Sequence, residues 1–333
     1  MKYWVFSLIF AISLGSVKAQ KAEDIIKASR DYSMSGDIDN AILTLKTGLD
    51  NIPGSADIRL ELAMAYYTVK RNVQALETLN PLLNSSDAEE TVFQIAGLIH
   101  RSALQFKEAE KVYKAGLKLH PKSGLLYNEY GQLMESIEPG RGEGLKLWEK
   151  GIEIDPGFAA NYYQASRYHA LANNTIWTIL YGEIFVNLDS YSSRTIEIKN
   201  ILFQFYKKMY AFGFSGLNDK NAFERAVAET FHKQKALSAS GINPENLSAI
   251  RTRFILDWYH NPISQKYPFR LFERQQQMLR DGMFDAYNQW LFGGAANIAV
   301  FQNWTKTNNE SYQAFTKFQR QKLFVINKNE YYR

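Results

Sequence analysis

The chain has 333 residues, 46% of them hydrophobic, no cysteine, and a formal net charge of +5. Without cysteine there is no disulfide framework, thiol catalysis, thiolate metal site or lipid-modified N-terminal Cys. The mild positive charge is too evenly spread for a nucleic-acid face, and pairs such as Lys207-Lys208 and Arg251 with Arg253 read as solvated helix faces.

In chain order, Lys2 precedes an apolar run from Tyr3 to Leu14, and Val17 and Ala19 put small residues where a signal peptidase reads. Residues 1–19 are therefore expected to be a signal peptide cut before Gln20. The run is too short for a bilayer span, which takes about 20 residues. Losing Lys2 and Lys18 with it takes the formal charge from +5 to +3. The expected address is the periplasm or cell surface, with no membrane span in the mature chain.

From Lys21 to about Asp189 a unit returns every 34 residues. Ala41, Ala75 and Ala109 are spaced so, as are Tyr32, Tyr66 and His100; Gly48 and Gly116 lie two periods apart, as do Pro53 and Pro121. Such a period marks stacked helical hairpins. The first helix carries apolar residues at Ile25, Ala28, Ser29 and Tyr32. Ser35-Gly36-Asp37 turns the chain, and Asp39 is expected to cap the second helix. Pro81 should shorten or kink the second helix of the second hairpin. Pro139 to Gly144 reads as an inter-helix turn, because it lacks the Gly-Lys-Ser/Thr ending of a phosphate loop.

The units resemble the tetratricopeptide repeat. They read Ser29, Tyr32, Ala41, Leu45, Pro53; then Ala63, Tyr66, Ala75, Leu79; then Gly97, His100, Ala109, Tyr113, Pro121; then Tyr127, Gly131, Gly144, Trp148, Pro156. A fifth unit begins with Tyr162 and Ser166 and then drifts, with Thr178 and Gly182 where Ala and a large apolar residue are expected. Five repeats are placed at 22–55, 56–89, 90–123, 124–158 and 159–190, within an array of 20–190. A small residue on one helix admits the bulk of its partner, and overpacking there is costly. The resemblance implies an all-α fold, a helical-hairpin superhelix followed by a non-repeat, aromatic-rich C-terminal helical region over 191–333. It also implies a concave groove lined by the first helices. Carried over, the groove residues are Arg30 with Met34, Met64 and Tyr67, Gln94 with Leu98 and Arg101, Asn128 and Gln132, and Tyr163 and Arg167. Arg30, Arg101 and Arg167 on one surface would make it positive and favour an acidic partner segment.

Beyond Ser190–Ser193, helices are expected over Arg194–Phe212, Asn221–Ala239, Pro244–Tyr259, Pro268–Arg280, Met283–Phe292, Asn297–Trp304 and Glu310–Phe324. Gly213–Asp219 reads as a loop and Gly293-Gly294 as a helix break, although Leu291–Phe301 as a whole is apolar enough for buried helix. Between Trp258 and Phe324, 15 of 67 residues are aromatic against 14% for the chain, which a compact core or an aromatic partner surface would explain. The segments Tyr181–Phe185 and Phe284–Leu291 look like ones in exported bacterial tetratricopeptide-repeat proteins.

No catalytic pattern emerges. His100, His120, His169, His232 and His260 show no metal-ligand spacing. Gly213-Phe214-Ser215-Gly216 has its second glycine one residue early for a nucleophile elbow. The reading is an exported, non-enzymatic scaffold or adaptor that holds an extended peptide or protein partner, with no cofactor, no metal and no nucleic acid. The alternatives are a structural subunit whose groove is filled by its own C-terminal helices, and an enzyme with a site in the C-terminal helical domain.

Overall fold

Glycines opposite large side chains set how closely the helices meet. A Cβ on Gly97 would overlap the Tyr113 ring, and one on Gly131 would overlap the Trp148 indole. The computed structural model describes residues 20–218 and 220–333; the expected signal peptide lies outside them. Every regular element among these residues is helical. The chain divides into two compact units, up to Pro121 and from Lys122 onward.

The first unit holds α1 (20–34), α2 (Ile38–Asn51), α3 (Ala56–Thr68), α4 (Asn72–Leu83), α5 (Glu90–Ser102) and α6 (Phe106–Leu119). Neighbouring helices pair as hairpins around Ala41, Leu45, Ala63, Ala75, Leu79, Ala96 and Ala109, all nearly inaccessible. The N-cap of α2 is Asp37, whose side chain accepts from Asn40 N; Asp39 sits inside the first turn instead. Asp37 wins because its backbone is still outside the helix, as a cap requires. Pro81 stays inside α4, which runs 12 residues against 14 for α2 and α6.

The second unit holds α7 (Gly124–Ile137), α8 (Glu143–Ile154), α9 (Ala159–Leu171), α10 (Thr175–Leu188) and α11 (Ser193–Phe212). It continues with α12 (Ala222–His232), a 3-10 turn (Lys235–Ser238), α13 (Pro244–His260), α14 (Ile263–Lys266), α15 (Arg270–Arg280), α16 (Phe284–Ala296), α17 (Ile298–Thr307) and α18 (Asn309–Gln321). Its hub is α10, buried on all sides from Thr175 to Asn187. Gly182 explains the drift of the fifth repeat. Where Tyr113 or Trp148 fills the hairpin in earlier repeats, a Cβ on Gly182 would meet Ser166 Oγ at 2.9 Å and Leu202 of α11 at 3.0 Å. The small residue thus lets α11 approach, and the departure from the pattern marks where the C-terminal helices pack.

Gly293-Gly294 does not break α16, which runs through to Ala296. Gly293 makes room for the Phe301 ring, and the true break is Asn297, which caps α17 with bonds from Ala299 N and Val300 N. Beyond it Ile298 and Val300 are both 59% exposed, so the expected buried helix ends there. The irregular tail is tied across the unit: Tyr332 O accepts from Asn221, Glu330 accepts from Arg270 N at 2.6 Å, and Arg333 pairs with Glu149. None of the described helices is long and apolar enough to cross a membrane.

Candidate functional site

In the first unit a groove of about 1300 Å³ runs across α1, α3 and α5. Helical spacing puts Glu23, Ile26 and Arg30 of α1 on one face, and α3 adds Leu60 and Glu61, α5 Thr91 and Ile95. The 51–57 segment and Glu89 close one end. Ile26, Leu60 and Ile95 supply apolar surface, and the Thr91 hydroxyl has no hydrogen-bond partner. The Arg30 guanidinium binds the Glu61 carboxylate and ties α1 to α3.

Of the residues expected to line a groove, Arg30 is in this wall. Met64 and Tyr67 are half-buried on α3, and Tyr67 packs near Ala63, Ala75 and Ala96; Gln94 and Arg101 are half-buried on α5. The cavity lies one turn nearer the helix N-termini than expected: Leu60 and Glu61 rather than Met64, Thr91 and Ile95 rather than Gln94 and Leu98. The spacing alone could have flagged Ile26, four residues before Arg30.

In the second unit the expected residues are already engaged. Asn128 is buried; its Oδ1 accepts from Gln132 at 2.7 Å and its carbonyl from Trp148 Nε1 at 3.1 Å. Tyr163 is buried too, donating its hydroxyl to Glu197 of α11 at 2.7 Å, while Arg167 pairs with the same carboxylate at 2.8 Å. Two of the three arginines expected to make a positive surface, Arg30 and Arg167, therefore face carboxylates.

A polar cluster that sequence reasoning missed lies in the core of this unit. Glu183 of α10 and Arg251 of α13 form an ion pair with side chains 2% and 1% exposed. Glu183 also accepts from Gln275 at 2.6 Å and from the Tyr287 hydroxyl at 2.7 Å. Asn187 donates to Tyr287 at 2.7 Å and accepts from Arg274 at 3.2 Å, and Arg274 reaches Gln319 at 2.7 Å. Burial alone would lower the Arg251 pKa, but the Glu183 carboxylate together with Tyr206 and Tyr287 outweighs it and holds the guanidinium above its ordinary range. Burial, reinforced by Glu183, pushes the Tyr287 phenol far above its usual range. With every member bonded and nearly inaccessible, the cluster fixes five helices in one arrangement. Arg251, read with Arg253 as a solvated face, is instead buried against Glu183, because the carboxylate compensates its charge; Glu183 and Tyr287 themselves sit in the two segments singled out above.

Two of the histidines are held in the fold. His120 Nε2 lies 2.7 Å from the Ala88 carbonyl. His169 is buried beside Glu149 at 3.3 Å, and desolvation lowers its pKa. Ser215 ties its loop to α10: its carbonyl accepts from Thr175 N at 3.0 Å, and its hydroxyl lies 3.0 Å from that of Thr175.

Residues 33–94 match the tetratricopeptide repeat family model. No curated protein matches the chain. Among solved structures, PilF of Pseudomonas aeruginosa is 16% identical over 57% of this chain and 86% of its own, with a TM-score of 0.45. A tetratricopeptide repeat protein from Parabacteroides merdae is 14% identical over 86% of this chain and 98% of its own, with a TM-score of 0.41. MamA is 18% identical over 49% of this chain and 94% of its own, with a TM-score of 0.39. The 34-residue period, the glycine-for-aromatic hairpin contacts and the family match agree, and the chain carries tetratricopeptide repeats, matched by the family model over residues 33–94.

Proposed function

We propose that the protein is an exported, non-enzymatic scaffold that holds an extended segment of a partner protein in the groove across α1, α3 and α5. The observation that carries this reading is the groove itself: open, and combining apolar side chains with charges, the make-up of a peptide site. Its charge points to a basic segment rather than an acidic one. Glu23, Asp57, Glu61 and Glu89 line it against Arg30 alone, and Arg30 is matched by Glu61. The N-termini of α1, α3 and α5 open nearby, each worth about half a positive charge, and the α-amino group of a chain starting at Gln20 adds about one more, so about half a negative charge stays in excess over the three remaining carboxylates. Arg59 sits beside them, donating to the Pro53 carbonyl.

A fluorescent peptide alternating Lys and Leu should bind at low salt, and its Glu-Leu counterpart should not. The double variant Glu23→Gln/Glu89→Gln should weaken the basic peptide several-fold, and the difference should shrink once salt cuts the Debye length to about 3 Å. Equal binding of the two peptides, or of neither, would sink this assignment.

The self-filled alternative gains support in the second unit only. There the first-helix face of α9 is taken by Glu197 of the chain's own α11. Export rests on residues 1–19 and is checked by N-terminal sequencing of protein recovered from the envelope: Gln20 should be first, and an intact Met1 would leave the segment as an anchor.

A further inference from the structure

The end of α11 carries a second surface, independent of the groove. Phe212, the last residue of the helix, is 88% exposed, the most exposed large apolar side chain among those described. Two adjoining cavities flank it and share Tyr210, Ala211 and Phe212. The larger, about 350 Å³, is lined also by Lys207, Lys208, Ser238 and Ile242. The smaller, about 200 Å³, adds Phe214, His232 and Lys235. No carboxylate lines either one. The C-terminus of α11 contributes about half a negative charge, well short of cancelling three lysines. Gly213, at φ +87°, turns the chain away directly after Phe212 and leaves the ring projecting.

We propose that this surface docks on an anionic bilayer, Phe212 entering the headgroup layer while Lys207, Lys208 and Lys235 meet lipid phosphates. The chemistry is that of an interfacial anchor, an aromatic side chain at headgroup depth beside cations drawn by a negative surface. The larger cavity suits a headgroup: it lies at the small end of the 300–1,000 Å³ typical of small-ligand pockets, and its walls are mostly apolar. An acidic peptide could use the lysines, but these compact cavities give it no track to lie along, and it would leave Phe212 in water.

The test is sedimentation of the full chain with vesicles of phosphatidylcholine, with and without one-third phosphatidylglycerol. The apolar Tyr3–Leu14 run and Lys2 are common to all variants, so the informative quantity is the difference between wild type and variants on each vesicle. Wild type should bind anionic vesicles at least tenfold more tightly than Lys207→Glu/Lys208→Glu, with the gap closing at high salt. Phe212→Ser should weaken binding several-fold while keeping the salt dependence. All three side chains are exposed, and circular dichroism checks the fold; Lys207→Gln/Lys208→Gln serves if the charge reversal perturbs it. Equal partitioning of wild type and both variants overturns the proposal. So does a hexaglutamate peptide that binds Lys207 and Lys208 while vesicles do not, which would assign the surface to an acidic protein.

Discussion

Arg251→Met should destabilise the second unit by about 3–5 kcal/mol, the cost of leaving one member of a buried ion pair without its partner. Glu183 would keep its bonds from Gln275 and Tyr287, but these neutral donors do not balance a carboxylate 2% exposed. Asn288 would lose its bond from Arg251 as well. The pair need not add much to net stability, because desolvating both charges costs about as much as their attraction returns. The double variant Glu183→Leu/Arg251→Met should therefore recover most of the loss, leaving a coupling of several kcal/mol in the cycle. Urea unfolding of the full chain, followed through the aromatic core of the second unit, gives the four stabilities. A single variant within about 0.5 kcal/mol of wild type, the range of an ordinary surface change, would mean the pair is solvated, contrary to the arrangement of α10, α13 and α16.

The contrast between what the residues foretold and what they did not has a physical pattern. Hairpin contacts were legible because they are local in register: Gly97 with Tyr113 and Gly131 with Trp148 are about 16 residues apart, and a fixed period repeats the geometry. Most helix positions in the C-terminal region were legible for the same reason, since amphipathic spacing is a short-range signal. The helix expected over Asn221–Ala239, however, ends at His232 and gives way to the 3-10 turn Lys235–Ser238, and the short α14 was not foreseen. The Glu183 cluster was not, because its members are 68, 92 and 104 residues apart and no period relates them. Gly182 and Gly293 misled in the same way. Each was read against its own helix, as a lapse in the pattern or a break, whereas each is set by a side chain from elsewhere: Leu202 of α11 and Phe301 of α17. Of the residues carried over for a groove, Arg30 alone lines the cavity across α1, α3 and α5, and its charge could not be weighed from sequence because its partner Glu61 lies 31 residues away.

Gly131→Leu should cost at least about 1–3 kcal/mol, the usual range for overpacking a filled core. The first added carbon alone would overlap the Trp148 indole, and Leu adds three more. Trp148 cannot readily yield. Its Nε1 donates to the Asn128 carbonyl at 3.1 Å, and its ring meets Tyr168 edge-on with centroids 6.4 Å apart. Moving it would leave a buried N–H unpaired and open a void beside Leu145, adding the loss of a hydrogen bond to the overpacking. Two comparisons isolate the cause. Gly54→Ala places its carbon in open space at an ordinary φ and should leave the unfolding midpoint where it is. Gly131→Leu/Trp148→Leu removes the colliding indole, so the pair should be less destabilised than the sum of the two single variants, the sign expected for residues that share one space. If Gly131→Leu melts with Gly54→Ala and wild type, the fourth hairpin does not close on Gly131 and the repeat register there is wrong. If the double variant is simply additive, the loss comes from contacts other than the indole, since helix propensity favours Leu over Gly, and Trp148 is not what the glycine makes room for.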